Sequence, residues 1–116
     1  MIHPEEIRLN KDKKALKLVY QDKEYILEAE FLRVLSPSAE VRGHGVGDET
    51  LQTGKKNVLI NNIEMVGQYA LKIIFDDGHD SGLYTWDYLY QLSTNQQKLW
   101  QEYLQKLVQE NASREP

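Results

Sequence analysis

One unit is written twice in this chain, and that doubling limits the folds open to it more than any other feature. The strings LKLVYQDKEYILEAEFLRVL, residues 16–35, and LKIIFDDGHDSGLYTWDYLYQL, residues 71–92, each read as strand, tight turn, strand and short helix. Leu16, Leu18 and Tyr20 alternate with Lys17, Val19 and Gln21, the period of two that marks a strand with one buried face. Leu71, Ile73 and Phe75 take the same places in the second string. Phe31, Leu32 and Leu35 then switch to helical spacing, matched by Tyr88, Leu89 and Leu92. Five aligned positions are identical: Leu16/Leu71, Lys17/Lys72, Asp22/Asp77, Leu32/Leu89 and Leu35/Leu92. Common ancestry of the two units and convergent hairpin–helix patterning both account for this internal repeat. The second unit carries two extra residues at its turn, His79 and Asp80.

The remaining segments complete an α+β reading, rich in antiparallel strands. Residues 4–9 form a short edge strand with Ile7 and Leu9 facing inward. Residues 58–65 are apolar enough for another strand, with Asn61-Asn62 as a bulge or turn, and Gly67 ends it. Ser93 to Gln96 has capping-box spacing and predicts a helix start. Trp100, Tyr103, Leu104, Leu107 and Val108 follow as one apolar stripe, so a C-terminal amphipathic helix over about 94–110 docks on the sheet. The tail after Asn111 is expected to fray. Between the two units lie residues 36–57, polar and glycine-rich, a length usually functional or disordered.

At 116 residues the chain is expected to be a single domain, residues 1–116, with a core over about 4–92. It is long enough to hide roughly two-thirds of its unfolded surface without staples. There is no cysteine, so disulfides and thiolate metal sites held by this chain alone are excluded. No apolar leader or run of roughly 20 apolar residues appears, and a cytoplasmic location is the expectation. Net charge is −4, and residues 1–34 balance with seven charges of each sign. That leaves Lys11, Lys13, Lys14, Lys55 and Lys56 as the only candidates for a basic stripe, read here as solvated turn lysines, so neither nucleic acid nor membrane is expected as a partner.

Chemistry-bearing residues are sparse. There is no Gly-x-Ser-x-Gly elbow and no Walker loop. The string Gly43-His44-Gly45-Val46-Gly47 lacks the third glycine of a dinucleotide fingerprint, and Asp48 would repel phosphate. No facial triad is present, because His79-Asp80-Ser81 lacks His-x-Asp spacing. His44 and His79, with Asp77 and Asp80, could hold iron or zinc weakly if their two turns met, since imidazole and carboxylate suit either ion. Otherwise the acids are solvated and His79 bonds a backbone carbonyl. Tyr90, with Trp86 and the turn acid Asp76, forms the best candidate corner for a protein partner.

The strings LRVLSPSAEVRGHG and VGQYALKIIFDDGHDSGLYTWDYL, with the leading hairpin, resemble the family of small proteins similar to the N-terminal domain of gamma-butyrobetaine hydroxylase. The resemblance covers most of residues 4–92 and rests on Ser36-Pro37-Ser38-Ala39-Glu40, Gly43-His44-Gly45 and Asp77-Gly78-His79-Asp80-Ser81-Gly82. It implies an α+β fold. It also implies a structural zinc held by cysteines and one histidine, with the catalytic iron in a separate domain that this chain lacks. Where cysteines would follow the first short helix, this chain has Leu35-Ser36-Pro37-Ser38-Ala39, so it departs from the family pattern at the zinc ligands, and oxygenase activity does not carry over. Related domains fused to P-loop iron–sulfur scaffold ATPases imply an iron-related association. The leading expectation is a non-enzymatic module that binds a protein partner. The alternatives are a metal-handling or iron–sulfur accessory role and an enzyme with a site in residues 43–49.

Overall fold

A computed structural model describes residues 2–21, 23–43, 47 and 49–116. Two separate antiparallel sheets form, each from strands that follow one another in the chain. The first contains β1 (Glu6–Leu9), β2 (Ala15–Tyr20) and β3 (Lys23–Glu28), and the second β4 (Ile60–Val66), β5 (Ala70–Phe75) and β6 (Leu83–Thr85). Helix α1 (Ala29–Val34) follows the first sheet, α2 (Ala39–Arg42) interrupts the long connection, and α3 (Trp86–Thr94) and α4 (Gln96–Gln109) follow the second. Fold class and hairpin–helix order are as read from the sequence.

The alternation works as expected. The two central strands, β2 and β5, have the same sequence of buried and half-buried positions. Leu16, Leu18, Leu71, Ile73 and Phe75 are all 1 % exposed or less and meet α1 and α3 in one shared apolar cluster. A likeness of element order and burial is what the two units share; one stretch of either length packing on a helix would produce it, and it carries no ancestry. The Asp22/Asp77 pairing lies partly outside the described residues. Ile7 and Leu9 pack against the core from edge strand β1. The Asn61-Asn62 irregularity is a register shift between Ile60 and Asn62 in the β4–β5 pairing.

Three expectations at the C-terminus are corrected. The helix does not start at Ser93, because α3 runs through it. The Ser93 hydroxyl donates back to Leu89 O at 2.7 Å, and the break comes at Asn95 instead. Helix α4 does not lie mainly on a sheet: Tyr103 and Leu107 close a second small core with Val34 of α1 and Leu51, while Val108 is 80 % exposed. The tail is held rather than frayed. Asn111 takes a left-handed φ of 52°, and Asn111 N and Ala112 N return to Val108 O and Leu107 O, a Schellman ending that lays Ala112 on Leu107. Gly54 N and Lys56 N then donate to Ser113 O and Arg114 O.

Arg114 completes this latch with two bonds to Glu30, at 2.8 and 2.6 Å, and lies 5.2 Å from the Trp100 ring centre. Glu30 is only 5 % exposed, so its charge depends on that guanidinium. Replacing Arg114 with alanine is expected to lower stability by about 2 kcal/mol, less than a fully buried pair because Arg114 is partly in water. Equilibrium urea unfolding measures this; a loss below about 0.5 kcal/mol contradicts the latch.

Candidate functional site

The polar residues of this protein gather where α1 and α2 meet the turn between β5 and β6. The turn is Asp76-Asp77-Gly78, and Gly78 takes a φ of 88° that other residues rarely adopt. Asp77 accepts from His79 N at 3.1 Å, which shapes the turn locally. Its other carboxylate oxygen receives Arg33 Nε at 2.9 Å and Lys55 Nζ at 2.7 Å. Arg33 also donates to Gln52 Oε1 at 2.9 Å, which ties the long connection to the same point. Burial alone would raise the Asp77 carboxyl; the bonds from Lys55, His79 N and Arg33 outweigh it and hold the group at about 2.

Beside this ion cluster sits a network of hydroxyls and one imidazole. His79 is 7 % exposed and Ser36 is fully buried. Ser36 Oγ lies 2.8 Å from His79 Nε2 and accepts from Ser38 N at 3.2 Å. Ser38 Oγ lies 2.7 Å from Ser81 Oγ and caps α2 by accepting from Glu40 N. The Glu40 carboxylate approaches His79 Nδ1 at 3.3 Å. The tautomer protonated on Nδ1 points that proton at Glu40 and leaves Nε2 to accept from the Ser36 hydroxyl. Burial and the Arg33 charge lower the His79 pKa, against the pull of Glu40 and Asp77. Gly82 is packed so tightly that a Cβ there would stand 2.4 Å from Ser36 Oγ.

Ser36, His79 and Glu40 have the atoms of a hydrolytic triad. Ser36 has no exposed surface in this arrangement, so its hydroxyl does not face solvent. A cavity of about 440 Å³ does border the long connection, between α2, α3 and α4, with Val41, Arg42, Glu49, Leu99 and Tyr103 among its walls. Ser36 borders it from behind, without exposed surface.

The expected site residues are dispersed. His44, Gly45, Val46 and Asp48 lie outside the described residues, and so does the proposed meeting of His44 with His79. Asp80 turns to water, 54 % exposed, with Lys72 Nζ at 3.9 Å. Both His79 nitrogens and both Asp77 oxygens already have partners. Among the described residues no three histidine or carboxylate side chains are placed to share a metal. The partner corner is likewise divided. Trp86 is buried, with Nε1 donating to Gln68 O at 2.7 Å. Tyr90 packs edge-on against Tyr20, with ring centres 5.3 Å apart. Asp76 accepts from Leu59 N at 3.0 Å. Trp86 N bonds Tyr69 O, just before β5, whereas Asp76 follows its last residue, so the two stand about 20 Å apart. Sequence alone does not single out Arg33, and it presents Ser36 and Ser38 only as part of the family-like string and as the residues in place of cysteines, not as site residues. The one available signal for Arg33 was a lone charge inside the apolar run Phe31-Leu32-Arg33-Val34-Leu35.

The chain belongs to the family described as gamma-butyrobetaine hydroxylase-like, N-terminal, whose profile matches residues 7–90. It is similar to two proteins solved by solution NMR. One is 55 % identical, covering all of this chain and 92 % of the other with a TM-score of 0.89. The second is 47 % identical, covering all of this chain and 87 % of the other with a TM-score of 0.83. A crystal structure of a protein of unknown function from Acidithiobacillus ferrooxidans, of the DUF971 family, is 33 % identical. That match covers 78 % of this chain and 92 % of the other, with a TM-score of 0.65. No protein of curated description matches the chain. Among the described residues no helix is long and apolar enough to cross a membrane.

Proposed function

We propose that this chain is a non-catalytic module that binds a protein through the β4–β5 hairpin. The observation that carries this reading is apolar surface left in water at one hairpin: Met65 is 62 % exposed and Tyr69 is 53 % exposed. Isolated exposed apolar residues are ordinary, but a flexible thioether and a tyrosine four residues apart on a braced turn are the side chains that protein interfaces favour. The brace is Trp86, whose backbone and indole N–H groups hold Tyr69 O and Gln68 O from beneath. Trp86 thus serves the contact surface from the core. The burial of Ser36 supports the non-catalytic half, since its hydroxyl has no exposed surface.

The test is quantitative affinity capture with the wild-type chain and with Met65→Glu/Tyr69→Glu. Both positions are exposed, so the double variant is expected to keep the wild-type unfolding midpoint. A prey protein captured by wild type is expected to fall at least tenfold with the variant, as central interface side chains typically carry more than 1–2 kcal/mol each. Equal capture by both proteins, or none above background by wild type, overturns the proposal.

A further inference from the structure

The structural zinc implied by the resemblance needs cysteines after the first short helix and one histidine. The residues that the fold brings together there are Ser36 and Ser38, directly after α1, and His79 from the β5–β6 turn. These donors do not fit zinc. Structural zinc takes thiolates and imidazoles, and a serine hydroxyl stays neutral at ordinary pH. Each group is also already engaged: Ser36 with His79 and Ser38 N, Ser38 with Ser81 and Glu40 N. Yet the imidazole is held in the way metal-bound histidines are held, with a carboxylate at the far nitrogen fixing the tautomer and the near nitrogen facing the other donors.

We infer that this chain closes the α1–α2 junction onto the β5–β6 turn with a metal-free clasp, Ser36–His79 and Ser38–Ser81, built on the geometry of a metal site. Two features support it beyond the donor set. The clasp joins segments 43 residues apart, so two hydrogen bonds hold the α1–α2 junction against the β5–β6 turn in the folded chain. A Cβ at Gly82 would stand 2.4 Å from Ser36 Oγ, so the bare backbone at 82 lets the hydroxyl reach His79. The inference is independent of the binding surface proposed above.

The test has two arms. In the first, the wild-type chain is melted with EDTA, with no addition, and with one equivalent of zinc chloride. The three melting temperatures are expected to agree within about 1 °C, a shift that corresponds to a small fraction of the stability of a domain this size. A drop of several degrees with EDTA, or a stoichiometric zinc-dependent rise, overturns the inference. In the second, Ser36→Cys/Ser38→Cys is titrated with cobalt(II) and melted with and without zinc. One cobalt per chain with thiolate charge-transfer bands is expected, together with a zinc-dependent rise of more than about 5 °C. Adding His79→Ala is expected to abolish the cobalt spectrum. A folded double variant that takes no cobalt, or one that stays unfolded even with zinc, overturns the claim that the clasp keeps a metal site's geometry.

Discussion

Asp77→Ala is expected to destabilise this protein by about 3 kcal/mol. The reason is what remains behind. Arg33 has a side chain 8 % exposed, and Asp77 is its charged partner; without it a buried guanidinium keeps only the neutral Gln52. Breaking such a pair from one side usually costs about 3–5 kcal/mol, and the lower end applies because Asp77 is 22 % exposed and Lys55 becomes free to solvate. Asp77→Asn keeps an oxygen for His79 N and should lose less. Urea unfolding with an unchanged slope reads both; a loss under 1 kcal/mol for the alanine variant would show that water reaches Arg33. The same cluster sets a pH dependence. His79 has a lowered folded pKa, so its contribution is complete above the unfolded value of 6.5 and fades as pH falls below it. Asp77, held at about 2 against 3.8, contributes fully above about pH 4 and is lost as pH falls towards 2. Stability should therefore decline in two stages on acidification, and the second stage should vanish in Asp77→Asn.

Gly82→Ala is expected to cost about 2–3 kcal/mol although only a methyl group is added. The new Cβ would stand 2.4 Å from Ser36 Oγ and 3.1 Å from Pro37 Cδ, and Ser36 cannot turn away without releasing His79. Ser36→Ala alone leaves the His79 nitrogen unpaired and should cost about 1–2 kcal/mol. The two losses should not add. With the hydroxyl gone, the alanine at 82 has space, and the double variant should recover at least 1 kcal/mol relative to the sum. Strict additivity in that thermodynamic cycle would contradict a direct clash.

The strands were legible because β2 and β5 each bury alternate residues, and alternation survives in the bare sequence. The Asn61-Asn62 bulge was legible for the same reason, as polar residues interrupting an apolar run. The break between α3 and α4 was not. Ser93 and Gln96 have the spacing of a cap, but the spacing alone does not reveal that Ser93 bonds back to Leu89 inside a helix already running. Trp86 and Tyr90 looked available because aromatic residues near an acidic turn suggest a surface, whereas tertiary packing turned one into the core and the other onto Tyr20. The clasp was the least visible part. Ser36 and Ser38 stood out only as part of a family-like string, and hydrogen bonds across 43 residues have no local period to reveal their partners. The tail latch hid for a related reason, since Arg114 finds Glu30 from 84 residues away.

That separation has a consequence for how the molecule assembles itself. Each sheet is made of neighbouring strands joined by short turns, so strand pairing asks little of loop closure and can begin early. The contacts that join one half to the other, Arg33 to Asp77, Ser36 to His79 and Tyr84 OH to Leu32 O, span 43 to 52 residues. They can form only after two partly made sheets have found each other. The polar junction is then a late-closing seal. Weakening it should leave the folding rate nearly as it was and shorten the lifetime of the native state, so the Asp77→Ala loss should fall almost wholly on the unfolding limb of a chevron.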